Sequence, residues 1–434
     1  MVHDDKPVGL NGVQVKFDDE RVVSDAGVML VATVAGRLGV EQLAGRLVRL
    51  RGDRPGAANA GRKVMALVFA MVLGADSIDD TGVLRAGRTG RLLGGWIPAP
   101  STLGTFLRAF TFGHVRQLDA LLGRSLERAW KAGAGPGDGR LVVDVDSFVG
   151  EVCGYQKQGA GYGYTKLYGY HPILATRADT REALHIRLRK GSANTQKGIK
   201  RFCEELIARV DRAGASGPKL LRADSGFWNT KVFERLEKAG WQYSIGVRNI
   251  KKIKETVVAI DEQDWQPIDY PEAGEAQIAQ TTYAGRRLIV RRTRLLGPQA
   301  ELFPDWRHFA FITNRTDELA LVEAEHREHA VVEQVIADLK DQALAHFPSG
   351  HFHANGAWTV LAALAHNLLR WTQLLGLPDT TVRAARTLRR RLLAIPGRLT
   401  MHARGWTLHL PARWPWHGDY ITALNAIRAL PAAA

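Results

Sequence analysis

The segment that most constrains this chain is Leu141–Gly150, LVVDVDSFVG. Its Val-rich alternation is that of a central strand. It also carries two acids. Asp144 and Asp146 stand two apart, so on a strand both side chains leave the same face. A charge on a buried strand is costly unless it is paired or bound to metal. The fold must therefore supply cationic partners or a metal ion here, and either aspartate is open as a ligand.

The pattern changes on either side of this strand. Upstream, apolar residues recur at helical spacing in Val28–Leu50, Arg62–Leu73, Thr102–Phe112 and Val115–Ala132. Pro100 with Ser101 or Thr102 supplies a helix start. The Gly-rich run Lys131–Arg140 reads as a linker. Downstream, strands are expected at Gly169–Ala178, Glu182–Gly191, Lys219–Phe227 and Trp241–Arg248, with helices at Asn194–Ala213 and Asn229–Ala239. Residues 251–308 read as short antiparallel strands, and Arg307–Arg315 as one more. Helices return from Asp317 through Leu344 and over Asn355–Leu375.

This gives five expected segments: a helical N-terminal DNA-binding region at 1–136, an α/β core in two parts at 137–250 and 309–376, a β-rich insertion at 251–308, and a basic C-terminal region at 377–434. The order of strands and helices in the core matches the ribonuclease-H-like fold, a mixed sheet flanked by helices. Many other α/β folds contain the same order.

Charge narrows the partner class. The 59 Lys and Arg against 44 Asp and Glu leave a net charge of +15. So basic a chain attracts polyanions, DNA first among them. Short Arg-rich helices at the N-terminus are compatible with helix-turn-helix binding. Two unpaired cysteines, Cys153 and Cys203, exclude a disulfide scaffold or a Cys-based zinc site. The apolar runs Gly27–Ala35 and Val64–Gly74 are too short to span a bilayer, and no signal peptide precedes them, so a cytoplasmic, nucleoid-associated protein is expected.

Two further acids stand out. Asp224, in RADSGF, lies where an apolar strand gives way to a Gly turn, the position where parallel sheets carry functional groups. An Asp capping the following helix reads equally well there. Glu333 lies on HREHAVVEQVIADLKDQ, where His326, Glu333 and Lys340 are spaced by seven and share a helical face, with His329 beside it.

Together these residues resemble the DDE transposases of bacterial insertion sequences, in the cut-and-paste branch with a β-strand insertion and a Tyr-x2-Arg-x3-Glu-x6-Lys signature. The matches are Asp144-Val-Asp146-Ser147, the Tyr/Gly stretch Tyr162–Tyr170, Arg222-Ala-Asp224-Ser-Gly-Phe227, and Glu333-x2-Ile336-x2-Leu339-Lys340. Phe352-His-Ala354-Asn355, Asn367-Leu-Leu-Arg370-Trp371, and Asp79-Asp80-Thr81 through Pro100-Ser-Thr102 belong to the same resemblance. Histidines 326 and 329 stand where the signature has Tyr and Arg.

The resemblance implies a ribonuclease-H-like core with Asp146, Asp224 and Glu333 as catalytic metal ligands. Asp146 is preferred because the family acid precedes Ser or Thr; Asp144 is its substitute. It implies two Mg²⁺ ions, with Mn²⁺ as a replacement, and hydrolysis followed by strand transfer at phosphorus. His326, His329, Lys340, Arg222, Lys166 and Arg390 are the expected DNA or phosphate contacts. Terminal inverted repeats and target DNA are the expected partners, bound by a homodimer or higher oligomer. Trp265 and Trp306 are candidates for stacking on a flipped base, though core packing is the commoner use of such residues. Two other readings remain: a transposase-derived DNA-binding protein with impaired catalysis, and a ribonuclease-H-like nuclease.

Overall fold

The computed structural model describes residues 10–52, 56–163, 166–194, 196–248, 250–269, 274–295, 305–379, 381–403 and 405–433. Parts of the expected insertion, 270–273 and 296–304, and of the Tyr/Gly stretch, Tyr164 and Thr165, lie outside them.

Leu141–Ser147 (β1) is the central element, as its composition requires. It pairs in parallel with Lys219–Ala223 (β4) and antiparallel with Ile173–Arg177 (β2), and β2 pairs antiparallel with Ala183–Arg187 (β3). Beyond β4 lies the parallel strand Gln242–Gly246 (β5). The strands Gln266–Ile268 (β6), Gly274–Tyr283 (β7), Arg286–Leu295 (β8) and Arg307–Thr313 (β9) continue the same sheet, because β9 pairs antiparallel with β5. The sheet order is β6-β7-β8-β9-β5-β4-β1-β2-β3. The expected β-rich segment opens on a helix, Lys251–Val258, and its strands widen the core sheet.

Three other expected elements differ. The Val28–Leu50 helix is two, Val28–Arg37 and Val40–Leu47, parted at Gly39, whose φ of 61° is left-handed. The helix expected from Asp317 to Leu344 breaks into Leu319–Arg327, a 3₁₀ turn at Glu328–Ala330, and Val331–Lys340. The C-terminal region holds a hairpin, Gly397–His402 with Gly405–His409, which pairs with Val22–Val23 near the other end of the chain.

The helix Phe352–Gly376 is apolar on nearly all sides and almost wholly buried. It packs against the helices Val28–Arg37, Ala60–Val72, Phe112–Ala129 and His417–Ala429 and against β3. One hydrophobic core consequently runs from Val28 to Ile427. The N-terminal helices and the helix His417–Ala429 share it with the sheet, while the C-terminal hairpin packs on a small cluster of its own, Val23, Ala26 and Leu399. No single helix among the described residues is long and apolar enough to cross a membrane.

Buried polar groups pin this assembly. Glu182 accepts hydrogen bonds from the indole N–H of Trp130 (3.0 Å) and of Trp371 (2.7 Å), joining three segments. Asn367 bonds both the N–H and the C=O of Ala183, at 2.7 and 2.8 Å. The Tyr/Gly stretch forms a small flap sheet of Gly150–Glu151, Tyr168–Tyr170 and Gly161–Tyr162. Its glycines are there for close approach: a Cβ on Gly191 would stand 2.0 Å from the Gly169 carbonyl oxygen and 2.3 Å from that of Gly161. Gly191→Ala is expected to cost about 2 kcal/mol through this overpacking. Limited proteolysis should then cut faster within residues 155–170, and unchanged cleavage there would refute the docking role.

Candidate active site

Asp146 and Asp224 come together through strand register. Val145 of β1 pairs with Ala223 of β4 in a parallel ladder, so the next residue on each strand emerges beside the other at adjacent carboxyl ends. Each is then fixed by its own turn. The Asp146 carboxylate accepts from the Ser147 N–H at 2.6 Å, and Asp224 accepts from the Gly226 N–H at 3.0 Å. Asp224 thus caps the short 3₁₀ turn Ser225–Phe227, while Asn229 caps the next helix, Thr230–Lys238. Gly246 of β5 lies so close that a Cβ would stand 2.8 Å from the Ser225 nitrogen.

Glu333 sits in the first turn of Val331–Lys340, exposed, and its charge acts on Asp146. Burial pushes the Asp146 carboxyl up to about 6, and the charges of Asp224 and Glu333 add to the rise. The Ser147 N–H and His329 oppose it. Asp224 is also raised, by burial first, while the Gly226 N–H, His329, Arg248 and His171 pull it down. The charges of Asp224 and Glu333 both act on Asp146, a like-charge setting that a bound cation would relieve.

Linkage gives a stability prediction. A carboxyl raised in the folded state holds its proton more tightly there than in the unfolded chain. Its contribution is therefore complete below about 3.8 and is lost as pH rises through about 6. Asp146→Asn removes that loss. In chelator, this variant should be more stable than the wild type at pH 8 by on the order of 2 kcal/mol and nearly equal to it at pH 4, by thermal or urea unfolding. Equal stability at both pH values would contradict the clustered-acid geometry.

Asp144 has a different part. It is fully buried, and its two oxygens accept from Nε and Nη2 of Arg222 at 2.7 and 2.9 Å. Arg222 also donates to the carbonyls of Glu325 and Glu328, at the end of Leu319–Arg327. The expectation that Arg222 contacts DNA is corrected: it is 2% exposed, and its donors are occupied by Asp144 and the helix end. Asp144 is likewise occupied, whereas Asp146 is in no ion pair among the described residues.

The histidines separate. His326 is corrected from phosphate contact to packed ring. Its Nδ1 lies 2.7 Å from the Ser244 hydroxyl, and it stacks on Phe311 with centroids 4.0 Å apart. Burial pushes it down to about 3, helped by His329, Arg222 and Arg291, so it is neutral. His329, on the 3₁₀ turn, donates from Nε2 to the Val145 carbonyl at 3.2 Å, beside Asp146. Because the helix breaks between them, the two rings meet different surroundings, and His326 does not share one unbroken helical face with Glu333 and Lys340.

Lys340 is exposed, and its ammonium lies 5.5 Å from the Phe148 ring centroid, two residues past Asp146. Lys166 and Arg390 are exposed, the latter in the Arg389–Leu393 turn. Trp265 and Trp306 both pack on Arg292, whose guanidinium carbon lies 4.1 and 4.5 Å from their ring centroids. Sequence reasoning missed His171 and Arg248, both near enough to Asp224 to lower it. Their only sequence signals were a His-Pro break between strands and a cation just past β5.

A second cluster invites a metal reading. Asp119, His185 and Glu205 are the one trio among the described residues whose ligand atoms all lie within 4.8 Å of one another. Guanidiniums already neutralise it: Arg209 to Asp119 at 2.6 Å, and Arg116 at 2.9 Å, Arg201 at 3.0 Å and Arg187 to Glu205. Burial alone would raise the Asp119 carboxyl, but the His185 and Arg209 charges hold it far below the usual range. An arriving cation would meet this positive ring, so the cluster is an ion-paired joint between Phe112–Ala129, β3 and Ile199–Ala213.

The family model for the transposase DDE domain, group 1, matches residues 5–432. The chain belongs to the DDE transposases. A piggyBac transposase, solved by cryo-EM as a synaptic complex with hairpin DNA, is similar at 12% identity, covering 86% of this chain and 80% of that one with a TM-score of 0.46. No curated protein matches. The family match extends over the N-terminal helices, the sheet and the C-terminal hairpin of this transposase alike.

Proposed function

We propose that this transposase cleaves DNA at the ends of a bacterial insertion sequence and joins the freed 3′-hydroxyl to target DNA. The observation that carries the reading is the register that sets Asp146 beside Asp224 at two adjacent strand ends, with the charges of Asp224 and of Glu333 on the nearby helix both raising the proton affinity of Asp146. We read β1–β5 as a ribonuclease-H-like core, supported by the order β3-β2-β1-β4-β5 with β2 antiparallel, and β6–β8 as an insertion joined to its sheet through β9.

Three hard oxygen donors, none of them in an ion pair among the described residues, fit Mg²⁺ or Mn²⁺, with two ions shared by the three acids. Such ions, when bound, activate the attacking oxygen and stabilise the leaving one. The chain's own residues set the geometry. Asp146 and Asp224 hold fixed positions because each accepts a bond from its own turn. His329 is anchored to the Val145 carbonyl and offsets the acids' charge. Lys340 lies at the same strand end, within reach of a backbone phosphate.

The test is cleavage and strand transfer on DNA carrying the repeats that flank the gene. Activity is expected with Mg²⁺ or Mn²⁺ and none in chelator. A chain that binds the repeats and cuts nothing with either ion would be the impaired, DNA-binding form that His326 and His329 leave open. Cleavage without joining would make it a nuclease.

A further inference from the structure

A second basic feature lies one step from the acids. Between the end of β3 and the start of the Ile199–Ala213 helix is a cavity of about 280 Å³. Arg187, Arg189, Lys190, Ser192 and Lys197 line it, over a floor that includes Phe202, and no carboxylate is among its lining residues. This is below the size usual for a drug-sized ligand and suits a small anion.

The charges differ in how they are held. Arg187 is paired with Glu205. Lys190 and Lys197 are exposed, with no ion pair among the described residues. Arg189 is 8% exposed, and its guanidinium donates to the carbonyls of His171 (2.9 Å), Asn194 (3.3 Å) and Lys197 (3.4 Å). Burial and the Arg187 charge push it down to about 10, so it stays protonated at neutral pH. Arg187, Arg189, Lys190 and Lys197 bring four cations to a cavity with no carboxylate among its lining residues, a setting that favours an arriving anion. The helix adds to this field. It has 15 residues, starts at Gly198 without a side-chain cap, and has no acid in its first turn.

The cavity is tied to the acids twice. His171 and Arg189 exchange backbone and side-chain bonds, and His171 acts electrostatically on Asp224. Gln196, on the cavity's loop, donates to the Trp228 carbonyl at 2.6 Å, four residues past Asp224.

We propose that this cavity seats one backbone phosphate of the DNA strand that runs past Asp224, held by Arg189, Lys190, Lys197 and the helix N-terminus. The proposal rests on the DNA-cleaving reading above. Its role is to fix the strand's register at a set distance from the acids.

The experiment measures the affinity of the full chain for a short random-sequence duplex across a salt series. It compares the wild type with Lys190→Ala/Lys197→Ala and with Lys200→Ala. Lys200 lies on the same helix but is paired with Glu204 at 3.7 Å, and so controls for general loss of charge. The double variant should bind about fivefold more weakly, with the slope of log K against log salt reduced by about one, the value for one lost phosphate contact. Lys200→Ala should change neither. The proposal is overturned if the double variant keeps the wild-type slope, or if Lys200→Ala loses as much. If the wild type itself binds no duplex at low salt, the DNA reading fails first and takes this one with it.

Discussion

Asp146→Ala, Asp224→Ala and Glu333→Ala should each lower Mg²⁺-dependent DNA cleavage by about a thousandfold or more, and leave duplex binding within about twofold of the wild type. The size follows from what each acid does. On the proposed function, each acid would supply oxygen ligands to the bound ions, which would serve both the attacking and the leaving oxygen, so losing one acid should disturb both ends of the displacement. Binding should survive, because phosphate contacts come from the basic surface and removing an acid only makes the cleft more positive. The losses should also be non-additive: a double variant should be about as inactive as either single one. The pairing of results matters more than either alone. Lost cleavage with retained binding fits a metal ligand, whereas loss of both points to misfolding, which circular dichroism and the thermal midpoint would expose. A variant that kept wild-type cleavage would remove that acid from the site. Asp146→Asn has a further signature, since it should gain stability without metal while losing activity.

How much of this was readable in the sequence varied with the physics of each element. The buried strands were legible from the Val-rich alternation of β1 and from the apolar stretch that gives way to a Gly turn after β4, and both lie where those patterns predicted. Their register was not. Sequence does not show that Val145 faces Ala223, and it is that pairing which sets Asp146 beside Asp224. The Glu333 segment shows the opposite failure. Its seven-residue spacing is real, but periodicity assumes an unbroken helix, and the chain turns at Glu328–Ala330. The turn arises from a long-range contact, Arg222 taking the carbonyls of Glu325 and Glu328, which no local pattern encodes. His326 is misread for the same reason: on one side of the break it packs under Phe311, while His329 on the other reaches the acids. Likewise the Tyr/Gly stretch matched the family without showing its form, in which Gly161, Gly169 and Gly191 are needed for backbone to pass backbone.

The same contact makes Asp144 the position of largest expected stability loss. Asp144 and Arg222 face each other across β1 and β4 in register, both buried, joined by two hydrogen bonds. Asp144→Ala leaves the buried guanidinium with only the exposed Glu328 carboxylate, at 3.4 Å, as counter-ion, so the loss should approach the roughly 3–5 kcal/mol of breaking a buried pair. The cost should come with a functional effect that sequence reasoning had assigned to metal binding. Without Asp144, Arg222 is no longer held toward the helix end, and the turn that carries His329 and leads into Glu333 loses its anchor. Two measurements separate that positioning role from ligation. Urea unfolding of Asp144→Ala should show the loss at every pH between about 6 and 8, whereas Asp146→Asn shifts the other way at the upper end. Replacing both partners with apolar residues of similar volume, Asp144→Leu with Arg222→Met, should recover most of the stability, because a buried pair contributes little beyond such a substitute. Cleavage should recover with it only in part, since the apolar pair cannot hold the carbonyls of Glu325 and Glu328. If Asp144→Ala keeps full stability but loses all cleavage, Asp144 is the metal ligand and Asp146 is not.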